Sequence, residues 1–239
     1  MLAESSDNVV NMSRQVRRVT KSGRPAGQAV AGETMVSVAL SLVETVGLEG
    51  LTMRRLADEA GVQAPALYRR FASKQDLLDA MVERIIGEAL ADPALPHEGD
   101  WGQQLAALAH SLRRALLAHR DSARILSGSL TGERNVLSFN EAALTPLIDA
   151  GFPPTRAAWG GDVVMSYTMG QVLRQQTAQD SGLTAAEGAA RVRQNLAKAP
   201  EIRLPVDLPL EQIADVDARF EYGLHVIITG LAYSLAHPA

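Results

Sequence analysis

Residues 51–78 read LTMRRLADEAGVQAPALYRRFASKQDLL. Thr52 is placed to cap a short helix, MRRLADEA, whose Leu56, Ala57 and Ala60 share one face, and Gly61 supplies the left-handed residue that ends it. A second short helix over 63–71 follows within three residues, and Ser73 with Asp76 has the spacing of a capping box for a third. Two short helices that cross at small residues around a tight Gly61-Val62 turn describe a helix-turn-helix. In that motif the second helix lies in the major groove of DNA while the first crosses the backbone.

The charge of this stretch agrees with that reading. From Thr52 to Lys74 five cations stand against two acids, a local +3 in a chain of net charge -4. Paired arginines alone describe a solvated helix face; the turn spacing, the inward alanines and the adjoining cap decide for a polyanion site. On the second helix Gln63, Ala64, Pro65 and Ala66 form the leading face, followed by Tyr68 and Arg69. Arginine bridges two guanine acceptors, glutamine pairs with adenine, and alanine or proline packs on thymine methyls. Thr52, Arg54, Tyr68, Arg70 and Lys74 are the candidates for backbone contact, together with the positive start of the helix at Ser73.

The rest of the chain predicts an all-α protein. Aromatics make up only 4% of the 239 residues, against abundant alanine and leucine. With no cysteine a reducing compartment is expected, and the cytoplasm is the default. The N-terminal stretch has no apolar run of the signal-peptide kind, and HVIITGLAYSLA is too short to span a bilayer. Residues 1–31 carry Arg14, Arg17, Arg18, Lys21 and Arg24 against Glu4 and Asp7 and are expected to form a disordered basic arm. Its KSGRPAG segment, 21–27, fits either a minor-groove contact or a solubilising tail. A helix from Glu33 closes at Gly47 and Gly50, so the DNA-binding domain is expected over 32–91. The prolines and glycine of ADPALPHEGD, 91–100, mark the boundary to a larger helical domain over 92–239. There a leucine-rich helix starts at Asp100, another ends at Gly151, and a long one begins at Pro153-Pro154. Thr184 with Glu187 caps a loosely attached helix, and a final helix is expected over about 211–236.

The stretch GLEGLTMRRLADEAGVQAPALYRRFASKQDLLDAMV resembles the DNA-binding domain of the TetR family of transcriptional regulators, through its LTMRRLADEAGV helix, LYRRF and the SKxxLL start of the next helix. Further on, ALLAHRDSARILSG, AGFPPTRAAW and YTMGQVLRQQ resemble the tetracycline-repressor subgroup. The resemblance implies an all-α homodimer paired through two long C-terminal helices. It also implies a ligand pocket in each large domain, and a small-molecule effector whose binding releases double-stranded operator DNA. Glycines 160, 161, 170, 223 and 230 could serve close helix approach in that dimer or ordinary intrachain packing. The segment 178–210 would flank the pocket entrance.

The same likeness argues against a magnesium-bound drug. Leu126 stands where the subgroup has a metal-ligating histidine, Ser129 at its threonine, Arg174 at its glutamate, and Leu108 and Leu112 at an asparagine and an aromatic. Leucine has no lone pair for a hard cation, and arginine repels one. The expected lining is therefore Leu90, Leu108, Leu112, Leu126 and Val172, with His110, Ser129, Trp159, Tyr167, Arg174 and Gln175 as candidate anchors for a mostly apolar effector. No metal or cofactor is expected. An enzyme is disfavoured because the five histidines lack metal-ligand spacing and no nucleotide-binding or nucleophile motif occurs. A same-fold activator, or a regulator answering to a protein, remains the alternative.

Overall fold

The computed structural model describes residues 26–96, 98–129, 132–203, 205 and 208–237, and among these the α-helix is the only regular secondary structure. The KSGRPAG proposal and the rest of the basic arm before residue 26 lie outside the described residues. Eleven helices follow one another: α1 (Ala26–Gly50), α2 (Met53–Glu59), α3 (Ala64–Arg70), α4 (Lys74–Leu90), α5 (Trp101–Leu117), α6 (Ser122–Ser127), α7 (Arg134–Asp149), α8 (Pro154–Ser181), α9 (Ala185–Ala197), α10 (Leu210–Ile213) and α11 (Val216–Ala236).

Two boundaries differ from the sequence reading. Helix α1 begins at Ala26, ahead of the expected Glu33 and inside the segment assigned to the arm; Ala26, Ala29 and Ala31 are strong helix formers. The expected terminal helix over 211–236 is two helices. Asp215 accepts the amides of Asp217 and Ala218 at 3.0 Å each, so its side chain caps a new helix start and separates α11 from the single turn of α10.

The remaining ends follow their local chemistry. Thr52 accepts the Arg55 amide at 3.2 Å, and Gly61 takes φ +64 after α2. Ser73 accepts the Asp76 amide at 3.1 Å, while Asp76 reaches back to the Ala72 amide rather than to that of Ser73. Thr184 and Glu187 form a complete capping box. Pro146 sits inside α7, where it lacks the amide that would close a helical hydrogen bond.

Helix α4 links the first three helices to the rest. Its buried stripe, Leu77, Met81, Val82, Ile85, Ile86 and Ala89, packs against α5, α6 and α7. At about 1.5–3 kcal/mol for each large apolar side chain buried, this stripe is a main source of stability. Helix α5 lies against α8, which also packs on α7 and α11. A Cβ on Gly160 would touch Leu231, and one on Gly223 would meet the Tyr167 ring, so these two glycines let α8 and α11 approach within the chain. Gly170 and Gly230 face open space.

Candidate functional site

Helices α2 and α3 meet as the sequence requires. Leu56 and Ala57 from α2 and Leu67 from α3 are buried, and the Val62 amide donates to the Ala57 carbonyl across the turn at 3.0 Å. Burying Leu67 turns the opposite side of α3 outward: Gln63, Ala64, Pro65, Tyr68 and Arg69 are exposed and Ala66 is half-buried. Tyr68 is 51% exposed, too open for a core tyrosine. Arg70 is half-buried, with its guanidinium over the Phe71 ring at 5.3 Å. Arg54 projects from α2 with its side chain 92% exposed and only a loose 4.0 Å approach to Asp58. Thr52 lies exposed at the start of α2, and the Lys74 ammonium sits 3.4 Å from the Leu48 carbonyl. The structure thus gathers all ten candidate DNA contacts on α2, α3 and the start of α4.

The end of α1 is held by a turn that the sequence did not single out. Gly47 breaks the helix with φ 71 and ψ 170. The next amide, Leu48, donates at 2.8 Å to the buried carboxylate of Asp121, itself in a left-handed conformation at φ 58. Beside it the Arg120 amide donates to Glu44 at 2.7 Å, and Arg124 joins Glu49 to Asp121 at 2.5 and 3.2 Å. These two carboxylates hold the Arg124 guanidinium above its ordinary pKa, the hydrogen bond it donates to Glu49 contributing most. The same turn is gripped from α8 by Gln176, whose Nε2 donates to the Leu116 carbonyl at 3.2 Å, the His119 carbonyl at 2.8 Å and the Ser122 hydroxyl at 3.2 Å. A continuous polar chain therefore runs from α8 through the α5–α6 turn to α1. Sequence reasoning chose Gln175; its buried neighbour Gln176 carries this contact.

The expected ligand residues do not converge on one pocket. Leu90 and Leu108 line a cavity of about 380 Å³ between α4, α5 and α7, with Pro93, Gln104 and Pro146. Leu108 and Leu112 also face a small void against Phe139, Val164 and Thr168. Val172 is fully buried core. Arg174 and Gln175 line a separate cleft of about 950 Å³ formed by α8, α9, α10 and the start of α11. The other candidates are engaged elsewhere. The Ser129 hydroxyl donates to Asp79 at 2.5 Å, tying the segment after α6 to α4, and Leu126 is half-buried against the core. Tyr167 stacks on Phe220 and donates to the carbonyls of Arg219 and Phe220; burial pushes its phenol up from the ordinary value. His110 lies edge-on to Phe220 and 3.5 Å from Glu221, and Trp159 is 67% exposed on α8. Part of this scatter is helical rotation: on α8, Val172 is buried while Arg174, two positions on, lines the cleft.

An outward-facing cationic helix-turn-helix joined to a larger helical body with internal cavities defines a ligand-responsive transcriptional repressor. Residues 36–81 match the bacterial regulatory proteins of the tetR family, and residues 92–235 match the tetracyclin repressor-like C-terminal domain. The chain is 40% identical over 199 residues to the tetracycline repressor protein class A from transposon 1721 of Escherichia coli, covering 83% of this chain and 89% of that protein. A possible TetR family regulator from Streptomyces coelicolor A3(2) superposes with a TM-score of 0.74 at 38% identity, over 84% of this chain and 98% of that one. ActR from Streptomyces coelicolor, solved in complex with actinorhodin, gives 0.70 at 31% identity, over 85% and 97%. The chain belongs to the TetR family. No helix among the described residues is long and apolar enough to cross a membrane.

Proposed function

We infer that the protein binds a palindromic operator as a cytoplasmic homodimer and leaves it when a small, mostly apolar molecule fills the cavity between α4, α5 and α7. The observation that carries this is the outward face of α3, where Tyr68 and Arg69 stand exposed beside Gln63, Ala64 and Pro65 while Leu67 is buried. A helix so presented enters a major groove, with Arg54, Arg70, Lys74 and Thr52 on the flanking phosphates. Domain limits of 32–91 and 92–239 follow from the same division of labour.

Dimerisation through α8 and α11 is supported by the large apolar side chains these helices leave exposed: Trp159 (67%), Val163 (48%), Tyr222 (73%), Val226 (49%) and Tyr233 (66%). Leu90, Leu95 and Leu108 supply the apolar part of the effector site, and the polar lining residues Gln104 and Thr145 supply orientation. Leucine stands at 126, Arg174 lines another cleft, and the one carboxylate of this lining, Asp92, is paired with Arg114, so the site is poorly suited to a magnesium-bound drug. The reading assigns no catalytic step to any residue.

The test selects binding sites from random duplexes with the purified chain, then measures affinity across a salt series. A preferred inverted repeat is expected, with Tyr68→Ala and Arg69→Ala each weakening it about tenfold or more. Equal affinity for every duplex, or full affinity in both variants, would refute the assignment.

A further inference from the structure

The cleft holding Arg174 and Gln175 is separate from the proposed effector cavity and has its own chemistry. Its walls come from the end of α8, the length of α9, the turn of α10 and the start of α11. Leu183, Val192 and Ile213 line it yet remain 44%, 43% and 47% exposed, an apolar surface that nothing else in the described chain covers. Two arginines, Arg174 and Arg219, are also among its lining residues.

The acids around the cleft are already engaged. Asp215 caps α11 through the amides of Asp217 and Ala218. Glu211 pairs with Arg193 at 2.8 Å, and that contact holds its carboxyl below the ordinary range. Asp217 pairs with Arg113 at 2.5 Å, and Glu187 completes the capping box of α9. Among the described residues no carboxylate pairs with Arg174. Arg219 spends its Nε on the Gln171 side chain at 3.0 Å, which fixes the plane of its guanidinium. Cationic lining residues within an open apolar trough are complementary to one chemical class of guest.

We propose that this cleft is a binding site for an anionic amphiphile, a single carboxylate on an extended apolar body. Arg174 and Arg219 take the carboxylate, in the forked geometry that guanidinium offers to such groups, and Leu183, Val192 and Ile213 cover the chain. A volume of about 950 Å³ accommodates a medium-length acyl chain. The site is independent of the reading given above for the α4–α5–α7 cavity, and it binds whether or not that reading holds.

Calorimetric titration of the full-length protein with decanoate, decanol and decyltrimethylammonium tests it. Decanoate binds, while the neutral and cationic chains bind at least about tenfold more weakly, as expected for loss of charge-assisted hydrogen bonds. Arg174→Gln weakens decanoate by about tenfold or more. Gly188→Trp supplies a second arm: a Cβ on Gly188 meets no atom within 4 Å, so the helix accepts a side chain that then fills the trough. It abolishes decanoate binding while the far-ultraviolet circular dichroism stays unchanged. Three results overturn the proposal: no decanoate binding by the native protein, as when a second copy of the chain occupies the trough; equal binding of the three probes; or decanoate affinity that survives both substitutions.

Discussion

Replacing Asp121 by alanine tests how the reading head is held. The substitution removes the carboxylate that accepts the Leu48 amide at 2.8 Å. It also leaves a β-carbon at φ 58 without the local hydrogen bonding that makes aspartate tolerable there. Loss of a hydrogen bond to a charged acceptor costs about 1.5–3 kcal/mol, and left-handed backbone adds about 1–2 kcal/mol. The sum, roughly 2.5–5 kcal/mol, lowers the thermal midpoint by roughly 5–20 °C in a chain of this size. Asp121→Asn is the informative partner, because asparagine keeps an acceptor for Leu48 and adopts the same backbone readily. It makes the Leu48 bond a neutral one and weakens the attraction to Arg124, which is 44% exposed and retains Glu49, so its cost stays well below that of alanine. Melting at fixed protein concentration, with operator affinity measured on the same samples, reads both stability and the footing of α1. An alanine variant that melts within about 1 °C of the parent, or an asparagine variant as damaging as alanine, would refute the reasoning.

Other expectations follow from single contacts. Gly223→Ala drives a methyl against the Tyr167 ring, whose hydroxyl is fixed by the carbonyls of Arg219 and Phe220; the urea midpoint should fall by the equivalent of about 1–3 kcal/mol. Burial of Glu88 pushes its carboxyl up, but hydrogen bonds from His119 and Arg84 outweigh it and leave the pKa below the ordinary 4.5. A depressed carboxyl stabilises the fold above 4.5, and that contribution is lost as the pH falls through 4.5 and below; Glu88→Gln should flatten the acid limb of a melting-versus-pH curve. Arg54→Ala should reduce the slope of log affinity against log salt by about one unit while leaving base preference intact, as a phosphate contact requires. An unchanged slope with altered sequence preference would show that Arg54 reads a base.

How much of this was legible depended on whether a residue acts through its own backbone or through a distant partner. The head could be read because caps and turns are local: Thr52, Gly61 and Ser73 each satisfy backbone groups within a few positions, so spacing alone reveals them. The apolar stripe of α4 was legible for the same reason. The pocket was not. On α8, Val172 is buried, Arg174 faces a cleft and Gln176 is enclosed by the α5–α6 turn, and a run such as VLRQQ does not say which of these faces meets α5. Asp121 escaped notice because its partner, the Leu48 amide, lies 73 residues earlier. The break at Asp215 was missed although a helix-starting aspartate ahead of Val216 was visible; the apolar rhythm from Ile213 onward masked it.

The proline within α7 has a consequence for whatever enters beside it. Pro146 carries no amide hydrogen, so the Ala142 carbonyl loses the donor that an unbroken helix would give it, and both residues border the same cavity. A guest that brings a hydroxyl or amine within reach of this carbonyl can supply the missing donor, which a pure hydrocarbon cannot. Restoring an amide at position 146 closes the helical bond and removes that option.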